Sequence, residues 1–152
     1  MIDDLKPAEI EALLKSELVA RIGCHAGDTT YVVPITYAYD GEGIIGHSFV
    51  GMKVNMMREN PRVCVEIDHM DDPSNWQSVI AWGDYEELTG DDAKRAMSIM
   101  MERFASLMTS ATSQPGDAAH GVDEATLASG EMPEAVIYRI RLTAKTGRFE
   151  RP

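Results

Sequence analysis

Seven consecutive residues, His47-Ser48-Phe49-Val50-Gly51-Met52-Lys53, bring an imidazole, a hydroxyl, a glycine and an ammonium together. The run reads as the end of a strand carrying two polar side chains, then a helix entered through Gly51 with Lys53 in its first turn. Unpaired backbone N–H groups, a hydroxyl and a cation that converge on one point are what holds a phosphate. Arg58, about a turn and a half further along, would add a second cation. An ordinary strand-to-helix turn with a solvated lysine has the same spacing, and spacing alone does not separate the two.

Other chemistry is weakly signalled. His25, His47, His69 and His120 are too scattered to form a zinc site of recognised ligand spacing, so no metal is expected. His69 lies in the run HMDD, which also reads as a solvated turn. No G-x-S-x-G elbow marks a serine nucleophile. Neither G-x-G-x-x-G nor G-x-x-x-x-G-K-[ST] is present, which removes the two common nucleotide cradles. Cys24 and Cys64 lie too far apart in sequence for a C-x-x-C pair and are read as small buried hydrophobes. No catalytic residue is assigned. His25 and His47 are the candidates for proton transfer, because histidine titrates near neutral pH.

The chain has 152 residues, 14 basic and 25 acidic, for a formal charge of −11. That length suits one domain, residues 1–152, with one core. The charge argues against nucleic acid and anionic membrane as partners, since phosphate neutralisation dominates both. It leaves room for a small phosphate ligand held by one local cluster. Apolar residues make up 44 %, too many for a disordered chain. No apolar run approaches the ~20 residues of a membrane span and no signal-peptide pattern opens the chain, so a cytoplasmic protein is expected.

The elements that would position these residues follow from periodicity and turn chemistry. Helices are expected over Pro7–Glu17, Gly51–Asn60 and, capped by Thr89, about Asp91–Met108. In the last of these, Ala93, Ala96, Met97, Met100, Phe104 and Leu107 form the apolar face, and Lys94, Glu102 and Arg103 face water. Methionines recur at helical spacing in both later helices, as adaptable core or interface. Six strands are expected: Leu18–His25, Thr29–Tyr39, Ile44–Phe49, Arg62–Asp68, Gln77–Leu88 (with Gly83 at a bulge) and Ala135–Lys145. Asp40-Gly41-Glu42-Gly43 is the clearest hairpin turn. Residues Thr109–Glu134 read as a long loop or partly ordered excursion, with one helical turn at Asp123–Ala128. Strands joined by hairpins rather than crossovers favour an antiparallel barrel flanked by helices.

The run Tyr31 to Tyr37, then Gly46-His47-Ser48, Gly51-x-Lys53 and Asn60-Pro61-Arg62-Val63-Cys64, resembles the pyridoxamine 5′-phosphate oxidase-like superfamily of FMN-binding split barrels. The nearest likeness is to its flavin-nucleotide-binding branch, which includes nitroimidazole-resistance proteins. The resemblance runs from about Leu18 to Leu88 and recurs at Thr146-Gly147-Arg148. It implies a six-stranded antiparallel split β-barrel with flanking helices, binding FMN as a homodimer with two sites at the interface. Val33, Pro34, Ile35, Thr36 and Tyr37 would then run along the flavin edge. His47 and Ser48 would lie near the ribityl phosphate, with Lys53 on the phosphate itself. Gln77, Ser78 and Val79 would reach the flavin from the partner subunit, and Trp76 or Trp82 would wall the cavity, Trp82 reading equally well as a buried aromatic in the barrel.

The implied activity is a flavin-dependent oxidoreductase acting on an unidentified small molecule. A non-catalytic flavin carrier or sensor, with Thr109–Glu134 as a partner-binding element, is the alternative. A haem or deazaflavin binder on the same barrel is a third reading. The chain ends Thr146-Gly147-Arg148-Phe149-Glu150-Arg151-Pro152, without the histidine-containing basic signature by which true pyridoxamine phosphate oxidases grip their substrate. Met52 likewise stands where those oxidases often carry a basic residue. Vitamin B6 oxidation is therefore not the expected reaction.

Overall fold

The structure is a computed structural model and describes residues 1–107 and 134–152. In chain order its elements are β1 (Ile2–Asp4), α1 (Pro7–Ser16), β2 (Val19–Ala26), β3 (Thr29–Thr36), β4 (Ala38–Tyr39), β5 (Gly43–Phe49), α2 (Met52–Glu59), β6 (Arg62–Asp72), β7 (Asn75–Glu87), α3 (Gly90–Ala105) and β8 (Ala135–Glu150). The strands form one antiparallel sheet in the order β3-β2-β6-β7-β8-β5-β4, with β1 added to β8. The two ends of that path, β3 and β4, are consecutive in sequence and separated by Tyr37 alone. The sheet therefore curls back on itself while its first and last strands stay unpaired, which makes a split barrel. The six expected strands are β2, β3, β5, β6, β7 and β8, and β1 and β4 are short additions.

Tyr37 explains why the run Thr29–Tyr39 is not one strand. Its N–H donates to the Leu18 carbonyl (3.1 Å) and its hydroxyl to the Leu14 carbonyl (2.7 Å). The ring is 1 % exposed. A side chain so anchored to the end of α1 turns the chain inward and starts β4 on the opposite sheet edge. At the following turn, Gly41 takes φ +92°, which a residue with a Cβ rarely adopts. Asp40 Oδ1 accepts the N–H groups of Glu42 (2.9 Å) and Gly43 (2.7 Å), so the hairpin is fixed by its first residue.

The expected bulge is present: the β7–β8 register shifts between Trp82 and Gly83, with Leu142 opposite Gly83 and Ala144 opposite Trp82. A Cβ at Gly83 would stand 2.3 Å from the Arg141 carbonyl oxygen, so the strands approach there only because the side chain is missing. Alternation along β2, β6, β7 and β8 turns Ile22, Val65, Ile67, Val79, Tyr138 and Ile140 into the barrel, where α1 plugs one side with Ile10, Leu13 and Leu14. α3 covers β4 and β5 through Ala96 and Met100, which pack with Ala38 and Ile45.

Some local expectations need correction. Arg103 does not simply face water, because Nη2 donates to the Ser16 carbonyl (2.8 Å) and ties α3 to the end of α1. Thr89 occupies the N-cap of α3 but its hydroxyl makes no capping hydrogen bond. Cys24 is buried as expected, whereas Cys64 is half-buried on the outer face of the sheet. Residues 109–133, with the turn expected at Asp123–Ala128, lie outside the described residues, as do Met108 and His120. Among the described residues no helix is long and apolar enough to cross a membrane.

Candidate functional site

β3 is paired to β2 on one side only, and β5 runs directly into α2. Between them lies a cavity of about 480 Å³, within the ~300–1,000 Å³ usual for small-ligand sites. One wall is β3, through Val33, Pro34, Ile35 and Thr36. The other is the segment from His47 to Lys53. A proline is tolerated on β3 because an edge strand can spare an N–H. The cavity therefore joins, across the fold, two stretches that the resemblance assigned to one site.

At the phosphate-like end, Gly51 is the N-cap of α2 and a Cβ there would meet open space. The first turn of α2 holds no acidic residue, and the leading N–H groups of a helix have no partner within it. Ser48 Oγ donates to the Phe49 carbonyl (2.8 Å), which leaves the oxygen's lone pairs free. Lys53 is half-buried in the cavity wall, and burial pushes its ammonium pKa below the ordinary lysine value. Among the described residues no carboxylate lies within ion-pair distance of it. A half-buried cation without a counter-ion among the described residues, beside helix N-terminal N–H groups and a hydroxyl, is a favourable environment for an anion.

Of the other expected site residues, His47 lines the cavity, exposed at its rim. Tyr37 does not, being committed to the core. Arg58 is not brought to the cavity either: its guanidinium is paired with Glu87 and with Glu134 (3.3 Å), and these carboxylates hold its pKa above the ordinary value. Within one chain, Gln77, Ser78 and Val79 lie on β7, away from the cavity. Val79 is core, Ser78 Oγ reaches Glu66 (3.5 Å), and Gln77 borders a separate hollow of about 70 Å³. Trp76 lines that smaller hollow and Trp82 stands on the outer sheet face. His25 is engaged by Thr30 (Nδ1 to Oγ1, 2.8 Å) and does not reach the cavity. Val19 and Tyr31 do line it and were not foreseen. The β2–β3 register sets Val19 opposite Thr36, a neighbour relation that only pairing reveals.

His69 sits beside the smaller hollow between Glu17 (3.0 Å) and Asp71 (3.2 Å). Both carboxylates raise its pKa above 6.5, Glu17 most. The stabilisation is therefore full below the unfolded-state value and lost as pH rises through the folded one. His69→Gln should lower the melting temperature relative to the parent near pH 5.5 and leave it unchanged near pH 8.5. An equal effect at both pH values would contradict that charge assignment.

The family model described as pyridoxamine 5′-phosphate oxidase matches residues 6–149. An uncharacterised protein of Rhizobium meliloti (strain 1021) is 36 % identical over 80 residues, covering 53 % of this chain and 53 % of that protein, so the chain matches about half the length of this curated relative. A FAD-binding protein of Mesorhizobium loti superposes with a TM-score of 0.72 at 26 % identity over 99 % of both chains. A candidate 5-nitroimidazole antibiotic resistance protein of Bacteroides thetaiotaomicron superposes at 0.69 with 16 % identity, over 98 % of this chain and 87 % of that one. With the curled antiparallel sheet and three flanking helices already described, the chain belongs to the pyridoxamine 5′-phosphate oxidase-like family of flavin-binding split barrels.

Proposed function

We propose that the cavity binds FMN and that the protein is a cytoplasmic homodimer, one domain per chain, working as a flavin-dependent oxidoreductase on a small molecule. The observation that carries this reading is Lys53, a half-buried ammonium without a carboxylate partner among the described residues, at the mouth of an acid-free helix turn. One such cation matches a single terminal phosphate. A diphosphate such as that of FAD would call for a second, and Arg58 is already neutralised by Glu87 and Glu134.

On this reading Lys53, Ser48 and the first N–H groups of α2 hold the phosphate, while the unpaired edge of β3 offers backbone groups to the polar rim of the ring. When bound, the flavin supplies hydride chemistry, and the chain contributes binding, orientation and electrostatics. His47 is the one histidine among the described residues that lines the cavity, and so the one placed to exchange a proton there. The stretch Thr146 to Pro152 carries no histidine where the family's pyridoxamine phosphate oxidases place their basic signature, which supports a different substrate. Gln77 and Ser78 would complete the site from the partner subunit.

Anaerobic addition of a reduced nicotinamide to the FMN-loaded protein tests the enzymatic part. Bleaching of the flavin followed by reoxidation with a nitroaromatic or quinone acceptor is expected. A flavin that stays oxidised with every donor would leave a carrier or sensor instead.

A further inference from the structure

We infer that Arg58 and Glu134 are positioning residues for the phosphate-binding turn, acting on Lys53 and the first N–H groups of α2 without touching the ligand. This role rests on the FMN reading above, since the phosphate must sit at Lys53 for the turn to matter. One residue, Glu134, grips both limbs of the turn. Its carbonyl accepts the Val50 N–H (2.8 Å) just before Gly51, and its carboxylate accepts from Arg58 Nη2 (3.3 Å) beyond Lys53. Gly51, Met52 and Lys53 are therefore bracketed by two contacts with a single point. That point is firm, because Glu134 directly precedes β8, whose Ala135 pairs with Phe49 at the end of β5.

The guanidinium is fastened a second time. Nε and Nη2 of Arg58 donate to the two carboxylate oxygens of Glu87, a bidentate fork. Glu87 ends β7 opposite Tyr138 of β8, and the Tyr85 hydroxyl donates to its Oε1 (2.9 Å). Arg58 thus ties α2 to the ends of two neighbouring strands. The helix needs such a tie. It has eight residues, its N-cap Gly51 brings no side chain to cap it, and two of the three side chains it buries are Met56 and Met57, methionine being adaptable rather than shape-fixing. Asn60 Nδ2 holds the far end to the His25 carbonyl (2.8 Å). One tie at one end lets a short helix turn about its axis, and the second, at Arg58, stops it. The Arg58 and Glu134 side chains are 36 % and 67 % exposed, so their pair adds little to global stability and its effect is on local geometry.

Charge alone makes the opposite forecast for Glu134. Removing a carboxylate near an anion site strengthens anion binding if only the field matters, whereas loss of a positioning contact weakens it. Fluorescence titration of the purified full chain with FMN and with riboflavin, the same ring without the phosphate, separates the two. The variants are Arg58→Gln, Arg58→Lys, Glu134→Ala and the Arg58→Gln/Glu134→Ala pair, each checked for its fold by circular dichroism. The expected result is FMN binding about 10-fold weaker in Arg58→Gln and in Glu134→Ala, as for a turn correctly set about a tenth of the time, with riboflavin affinity held within about 2-fold. The double variant should be no weaker than Arg58→Gln alone, because the two residues act as one unit. Arg58→Lys should fall in between, keeping the charge but not the fork. A Glu134→Ala protein that binds FMN as tightly as the parent, or more tightly, would overturn the assignment, and this variant decides even if Arg58→Gln does not fold. Equal losses for FMN and riboflavin, the mark of general structural damage, would overturn it too. A parent with no preference for FMN over riboflavin would instead remove the phosphate site itself, and the positioning role with it.

Discussion

Lys53→Ala should weaken FMN binding by about 10- to 100-fold, the loss of one charge-assisted contact of ~1.5–3 kcal/mol, while the melting temperature of the ligand-free protein holds or rises. The two effects separate because Lys53 has no carboxylate partner to abandon among the described residues and is already disfavoured as a cation by burial. Lys53→Arg should retain more affinity than the alanine variant, since charge is kept and only reach and shape change. The pH dependence has a definite sign. Burial lowers the ammonium pKa in the free protein, and a bound phosphate would raise it again. Affinity should therefore fall as pH climbs toward the lysine range in the parent and stay flatter in Lys53→Ala. Fluorescence quenching titrations at several pH values measure both. An unchanged affinity in the alanine variant would remove Lys53 from the phosphate site.

Tyr138→Ala should cost about 3–5 kcal/mol of stability, the usual loss for a fully buried aromatic cut back to alanine. Tyr138 is 0 % exposed, lies between β5 and β7, and meets Tyr85 with ring centroids 5.3 Å apart. Its hydroxyl end fills the space that a side chain at Gly46 would need: a Cβ there would lie 2.4 Å from the phenol oxygen. The cavity left by the substitution is walled by β-sheet backbone and collapses poorly, so the loss belongs at the upper end. Thermal unfolding should show a drop of order 10 °C for a chain of this length. Because Gly46 directly precedes His47, the variant should also loosen the cavity wall, read as weaker FMN binding at a temperature where it is still folded. A drop of only a degree or two would mean the barrel interior repacks freely around this position.

Most of the barrel was legible because period-two alternation and turn residues are local signals. Asp40-Gly41-Glu42-Gly43 announced its hairpin and Gly83 its bulge. The cavity wall from His47 to Lys53 was legible for the same reason, since it is one contiguous run whose order alone creates the strand-to-helix junction. Hidden from sequence was whatever depends on tertiary pairing. Tyr37 looked like one more strand residue, yet its hydroxyl found the end of α1 and broke the strand there. Arg58 looked like a second phosphate cation because helical spacing allowed it, and it was claimed by Glu87, 29 residues away, and by Glu134. Val19 joined the cavity only through its register with Thr36. Trp82 faced out rather than into the barrel, because its alternation places it in phase with Ile80 and out of phase with buried Val79 and Ala81.

The measurement that bears most directly on the whole reading is an absorption spectrum of the purified protein followed by parallel titrations with FMN, FAD and haem. Saturable FMN binding at one per chain, with shifted flavin bands and quenched fluorescence, and with FAD and haem weaker, is the predicted result. Failure to bind FMN, or a clear preference for haem or FAD, would contradict a monophosphate flavin held at Lys53.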